Sequence, residues 1–391
     1  MSRPQYSTSG NALLVFADLV DSSKYSAVLG IEKYARQLLY FQRMFKELGH
    51  AYFPEPRAEE RTEKYSEVLA RGDEGIVFCV DHEEAPGHLV FRAIEFIFEL
   101  KSRLKFGLEN SYLEDAPPRV LGLGAGVHFG EVALIADLEE NSHRSVIHSL
   151  EGFAINYAKR IENCSRAGRH SQVFLSKVAA RLVEGEPVVL SEMLLPMKGI
   201  HEQEEVQEVC GGFFRTVPIE TETKEGEFLV DHAMYLAEHP EEIDDRWLKS
   251  IVVSILDSRF RGSPEGELKD LYQGRLLKLA WHSPVEDDPI LLFIRARWLQ
   301  QQKEYTHQLR YLREIVRMHP DFMPARKMMI RACWRLVKKR AERAEMIYAR
   351  DMARELLEQF PTWLSEEEQR EFREIISYRS VRKRRGPRPH K

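Results

Sequence analysis

Cysteine is scarce: the 391-residue chain has four, Cys79, Cys164, Cys210 and Cys333, dozens of residues apart, with no C-x-x-C pair and no histidines clustered beside them. That spacing argues against a disulfide scaffold and a zinc site, and fits a reducing compartment. Long apolar runs are also missing. Nowhere do eighteen apolar residues stand together, and the first twelve residues lack an apolar core, so neither a membrane span nor a signal peptide is expected. A cytoplasmic protein without membrane contact follows as the expectation. Nor does one charge dominate: 57 Lys and Arg against 62 Asp and Glu leave a net charge of −5, which argues against a nucleic-acid partner. What is present is a globular composition, 43% hydrophobic and 30% charged, in a chain long enough for two or three domains.

Short apolar stretches separated by turns fill the first half. Leu13 to Phe16 is an apolar run ending in Asp18-Leu19-Val20-Asp21 and then Ser22-Ser23, which suits a helix cap. From Lys24 to Leu48 apolar residues recur at helical spacing, predicting a helix broken near Gly30 and stopped by Gly49. A charged, Pro-containing loop over 50–62 precedes a predicted hairpin with arms near Lys64 to Ala70 and Gly75 to Val80, around Arg71-Gly72-Asp73-Glu74. A helix from Gly87 to Phe106 follows, then a second predicted hairpin, Val120 to Val127 and Glu131 to Ile135, turning at His128-Phe129-Gly130. The remaining elements are a polar loop to Ser149, a helix from Glu151 to Cys164, a strand at Gln172 to Leu175, and a strand pair near Ser191 to Leu195 and Val206 to Val209. Strands mixed with helices place residues 1–212 in the α+β fold class.

A linker is expected over 213–230. From about Asp231 the chain reads as helix after helix: Asp244 to Leu256, Glu265 to Leu279, Pro289 to Gln302, Tyr305 to Met318, Pro324 to Lys339 and Ala341 to Phe360, an α-helical domain over 231–378. Breaks at Pro289, Pro320 and Pro361 are 31 and 41 residues apart, so the pattern is only loosely tetratricopeptide-like. Residues 379–391, RSVRKRRGPRPHK, form a basic tail, read as solvated disorder.

Two carboxylates stand out by position. Asp18 ends the first strand and Asp73 sits at a hairpin tip, and adjacent antiparallel strands can set them side by side at one sheet edge. Such a pair suits Mg²⁺ or Mn²⁺, which take few protein oxygens and fill their shells with water and phosphate. Taken alone, two acids at turns are a weak signal, and such residues are far more often solvent-facing turn residues. Four blocks, however, fall in order: Phe16-Ala17-Asp18-Leu19-Val20 followed by Ser22-Ser23; Gly72-Asp73 in a hairpin; Gly126-Val127-His128-Phe129-Gly130-Glu131-Val132; and Gly152 with Asn156, Ala158 and Arg160. Met197-Lys198-Gly199 is a looser fifth. Through these blocks residues 10–212 resemble the class III nucleotidyl cyclases, the catalytic-domain family of adenylate and guanylate cyclases.

The resemblance implies a mixed, mostly antiparallel sheet with flanking helices and a ferredoxin-like core. It implies two divalent ions held by Asp18, Asp73 and the Leu19 carbonyl, with turn amides from Val20 to Ser22 and the Lys198 ammonium on the triphosphate. Asn156 and Arg160, four apart and so on one helical face, correspond to the pair that orients the ribose and stabilises the transition state. In the family the two halves of a site come from different protomers, which implies a homodimer. The implied reaction closes a nucleoside triphosphate to its 3′,5′-cyclic monophosphate and releases pyrophosphate.

The positions that read the purine base in the family correspond here to Leu69 and Ser149, and leucine cannot hydrogen-bond a base edge. Tyr65 and Glu67 share a strand face with Leu69. Tyr65 is then either an ordinary strand aromatic or a ring that narrows the pocket for a pyrimidine. The missing purine code and Asp18-Leu19-Val20-Asp21-Ser22 resemble the pyrimidine cyclase (Pycsar) branch, which implies cyclic UMP ahead of cyclic CMP, a role in bacterial anti-phage defence, and a protein or phage-derived trigger at the helical domain. An ordinary adenylate cyclase and an inactive cyclase-like scaffold are the alternatives.

Overall fold

Ala12 to Ala17 are all buried, because β1 (Gln5–Leu19) lies between two antiparallel neighbours in the computed structural model, which describes residues 5–22, 26–27, 30–57, 60, 64–111, 122–138, 145–200, 202–214, 224–243, 246–283, 288–340 and 343–378. On one side β3 (Glu74–Asp81) pairs from Leu13↔Cys79 to Asp18↔Glu74. On the other, β4 (Leu123–Leu138) pairs along the whole strand, from Gln5↔Asp137 to Leu19↔Leu123. With β2 (Lys64–Arg71), β5 (Ser145–Glu151), β6 (Val173–Ser176), β7 (Val188–Pro196) and β8 (Gln203–Gly212) this makes one eight-stranded sheet, order β2-β3-β1-β4-β6-β8-β7, with β5 added to β4. Only β4 and β6 run parallel among the paired strands, and their connection carries the helix that such a crossover requires, α3 below.

Two helices, α1 (Ile31–Tyr52) and α2 (Pro86–Ser111), pack on each other and on the sheet. Edge-to-face contacts of Phe45 and Phe53 with Phe96, at ring distances of 5.2 and 5.9 Å, fill the space between them. Ala12, Leu14 and Phe16 of β1 cluster instead with Ala154 and Ala158 of α3 (Phe153–Cys164), so strand alternation sends successive β1 residues to opposite helical layers. The α3 layer comes unusually near: a Cβ on Gly126 would stand 2.3 Å from the Glu162 amide nitrogen and 2.7 Å from the Ala158 carbonyl. Only glycine leaves room for that crossing. A short helix, α4 (Lys177–Leu182), follows β6, its N-terminus capped by Ser176 Oγ.

The chain divides into two compact units between Ile290 and Leu291. The strands end at Gly212, yet α5 (Lys224–Glu238), α6 (Arg246–Gly262) and α7 (Glu267–His282) belong to the first unit. There α6 packs on β8, the Phe214 amide donates to Ser254 Oγ at 3.0 Å, and Phe214 stacks on Phe98. The second unit holds most of α8 (Pro289–Gln301), then α9 (Tyr305–Met318), α10 (Met323–Arg340), α11 (Arg343–Gln359) and α12 (Glu366–Ser377), with the last four packed in succession. A capping box of Ser365 and Glu368 opens α12. Among the described residues no helix is long and apolar enough to cross a membrane.

The α+β architecture followed by helices agrees with the sequence reading; several local elements differ. The second hairpin does not form: His128, Phe129 and Gly130 lie within β4 and pair with Leu14, Leu13 and Ala12. β1 is much longer than its apolar run, and its polar first half, Gln5 to Asn11, supplies the ladder that carries β4 straight through. The segment read as a polar loop to Ser149 contains β5, paired to β4. Gly49 does not stop α1, which runs on to Tyr52; a Cβ there would meet Val68 Cγ1 at 2.4 Å, so the glycine serves packing on β2. The break at Gly30 is present, at φ 77°. In the segment expected as a linker, α5 begins at Lys224. The basic tail 379–391 lies outside the described residues.

Candidate functional site

Asp18 stands one residue before the end of β1, and Asp73 stands in the two-residue turn between β2 and β3, where Gly72 takes φ 59°. The Leu19 amide donates to the Asp73 carbonyl at 3.1 Å, and the Val20 amide donates to the Gly122 carbonyl at 2.7 Å, so the hairpin tip is tied to the strand end. Ser22, buried, turns its hydroxyl onto Asp73 Oδ2. Burial pushes the Asp18 carboxyl above the usual range and the Asp73 charge adds to the rise, while Lys159 and Arg166 oppose it. Arg166 Nη2 donates to Asp18 Oδ2 at 3.2 Å. Lys159 is engaged elsewhere, by Glu74 and Glu162 at 2.7 Å each.

Two carboxylates in close electrostatic contact, with a guanidinium standing as their cation, are a donor set that fits a hard divalent ion. Among the described residues no three His, Cys, Asp or Glu side chains come together, so backbone carbonyls, water and phosphate would complete the shell.

Asn156 and Arg160 belong to another face. At about 100° per residue, Ala158 and Glu162 point into the sheet, Lys159 flanks them toward β3, and Phe153, Asn156 and Arg160 point outward, while Arg166 follows in the 3-10 turn Ser165–Ala167. Phe153 is 66% exposed, Asn156 is exposed, and the Arg160 guanidinium lies 5.7 Å over the Phe153 ring. The far flank of α3 meets the β7–β8 end: Tyr157 donates to Glu204 at 3.1 Å, and a Cβ on Gly199 would be 3.4 Å from Arg160 Nη2. Lys198, beside Gly199, is exposed. The structure thus brings Asp18, Leu19, Ser22 and Asp73 together, and sets Arg160 near the Lys198-Gly199 turn. It does not turn the two groups toward each other within one chain.

The positions matched to base reading lie on β2 and β5. The Tyr65 hydroxyl donates to Glu67 Oε2 at 2.7 Å and lies 3.2 Å from the His148 carbonyl, so it bridges β2 to the residue before Ser149. Burial and the Glu67 carboxylate push its phenol upward. Leu69 pairs with Ile76 and Ser149 with Ile135, both half-buried. His128, expected in a turn, is instead buried in β4 with Nδ1 2.8 Å from Ser176 Oγ. Sequence reasoning missed Arg166 and Lys159. No local spacing marks them, because Arg166 lies beyond the end of α3, in the 3-10 turn Ser165–Ala167.

No family model matches the sequence, and a search of curated proteins finds no match. Among solved structures, the adenylyl cyclase CyaB from P. aeruginosa aligns at 14% identity over 52% of this chain and 95% of its own, TM-score 0.41. The guanylyl cyclase Cya2 aligns at 16% identity over 55% and 96%, TM-score 0.39. An adenylate/guanylate cyclase/hydrolase from Silicibacter pomeroyi aligns at 16% identity over 52% and 97%, TM-score 0.34.

Proposed function

We propose that this chain is a nucleotidyl cyclase that converts a nucleoside triphosphate to its 3′,5′-cyclic monophosphate and pyrophosphate, at sites formed between two copies of itself in the cytoplasm. The observation that carries the reading is the division of labour around α3: a held carboxylate pair, Asp18 and Asp73, on one flank, and on another face the exposed Phe153 and Asn156 with the half-buried Arg160. A chain bearing both halves of a site that do not meet internally is completed by a two-fold partner.

In that assembly Asp18, Asp73 and the Leu19 carbonyl would hold Mg²⁺ or Mn²⁺, whose chemistry is to lower the cost of charge on the attacking and leaving oxygens. Ser22 fixes the rotamer of Asp73 through its hydroxyl. Asn156 of the facing copy would orient the ribose, and Arg160 would meet the charge that grows on the α-phosphate as the 3′-oxygen bonds to phosphorus and the α–β anhydride breaks. Lys198 would hold the polyphosphate.

The substrate we favour is a pyrimidine triphosphate, UTP ahead of CTP. Tyr65, fixed to Glu67 and to the β5 backbone, would narrow the pocket for a smaller base, and Leu69 offers a base no hydrogen bond. Such a product fits second-messenger synthesis in anti-phage defence of the Pycsar type, with the helical region 231–378 as the surface that receives a trigger. The test is incubation of purified protein with ATP, GTP, CTP and UTP, singly and mixed, in Mn²⁺, with products identified by mass spectrometry. Cyclic UMP or cyclic CMP supports the full reading. Cyclic AMP keeps the reaction and overturns the base argument, and no product from any substrate favours an inactive scaffold.

A further inference from the structure

Arg166 is a cation in an unusual position. Its backbone lies in the single 3-10 turn Ser165–Ala167 that follows α3, where Ser165 is fully buried and a Cβ on Gly124 would meet Ser165 Oγ at 2.2 Å. The turn is therefore pinned against β4. The side chain is not pinned: it is 59% exposed, yet its tip reaches an Asp18 carboxylate that is 15% exposed, through one contact of 3.2 Å. A single Nη2 contact lacks the two-point fork that makes arginine–carboxylate pairs strong, and an ion pair with one exposed partner is weak enough for a divalent ion to replace. Lys159, the other cation of this flank, is committed to Glu74 and Glu162. Asp18 and Asp73 meanwhile repel each other, so the pair needs a positive charge whenever no metal is present.

Resting on the divalent-metal reading above, we propose that Arg166 is a displaceable counter-ion, which occupies the metal side of Asp18 in the metal-free chain and leaves it when a divalent ion enters. Its role is to keep the two carboxylates compatible with folding while setting a threshold for metal entry. Arg166 is then a positioning residue for Asp18, and removing it has opposite effects on metal affinity and on metal-free stability.

The experiment uses the full chain and Mn²⁺ alone, with free Mn²⁺ read by its electron paramagnetic resonance signal, on wild type, Arg166→Gln, Arg166→Lys and Asp18→Asn. Melting curves are recorded in EDTA and in Mn²⁺. The expected result is half-saturation of Arg166→Gln at a three- to tenfold lower Mn²⁺ concentration than wild type, with Arg166→Lys between them. Arg166→Gln should also melt below wild type in EDTA, with the gap closing in Mn²⁺. Equal or weaker Mn²⁺ binding by Arg166→Gln, while Asp18→Asn abolishes binding, overturns this proposal and leaves the metal reading standing. Unchanged binding by Asp18→Asn removes the metal reading, and this proposal with it.

Discussion

At the scale of single residues, the proposed mechanism separates binding from chemistry. Asp73→Ala should abolish turnover without dissociating the dimer, because it removes a carboxylate from a surface turn and no core volume; activity together with light scattering checks both halves. Arg160→Ala should lower kcat by about 10²–10³ with a smaller change in KM, as for a group that acts mainly on transition-state charge. A different residue controls stability. Burial lowers the pKa of His128 to about 4, and Ser176 Oγ, which accepts from the Ala179 amide, can give its own proton to Nδ1. A histidine kept neutral in the folded state contributes full stability above its unfolded pKa of 6.5 and loses it as pH falls from there toward 4, about 3 kcal/mol in all. His128→Gln should flatten the decline in urea midpoint between pH 6.5 and 4.5 relative to wild type. The Asp18 and Asp73 pairing is legible in the sequence because a strand end and a two-residue turn fix where each stands. Arg166 and the burial of His128 are not, since both depend on which strand the chain lays beside another.

Elements differ in how plainly they announce themselves. The helices from α6 to α11 begin within about two residues of their expected starts, because a 3.6-residue stripe bounded by proline needs no knowledge of the neighbours. β4 is the opposite case. His128-Phe129-Gly130 has turn-like composition, and what makes it strand is the length of β1 opposite, whose polar half has no apolar signature. The capping box of α12 gives an element-scale prediction: Ser365 Oγ accepts from the Glu368 amide at 3.2 Å, and Glu368 returns a bond to the Ser365 amide at 3.1 Å. Ser365→Ala should destabilise the second unit by about 1 kcal/mol, seen as a lower melting temperature for that unit, with the turnover proposed for the first unit unchanged.

For the whole molecule, the proposed assembly predicts complementation. Asp73→Ala chains, inactive, and Arg160→Ala chains, nearly so, should regain about a quarter of wild-type turnover when mixed equally and allowed to exchange, since half the dimers then carry one intact site of two. No recovery after verified exchange would place each site within one chain. Composition marks where strands give way to helices at Gly212, but not the division at Ile290, because the seating of α6 on β8 is a tertiary contact without a local pattern. The crossing of α3 over Gly126 bears on control. With peptide groups where a Cβ would stand, the helix backbone rests directly on its strand, so the offset between Arg160 and Asp18 is set by backbone contact. In the proposed assembly these two edges of the first unit would act as a key of fixed cut, and a signal would act by changing how two such keys are held together.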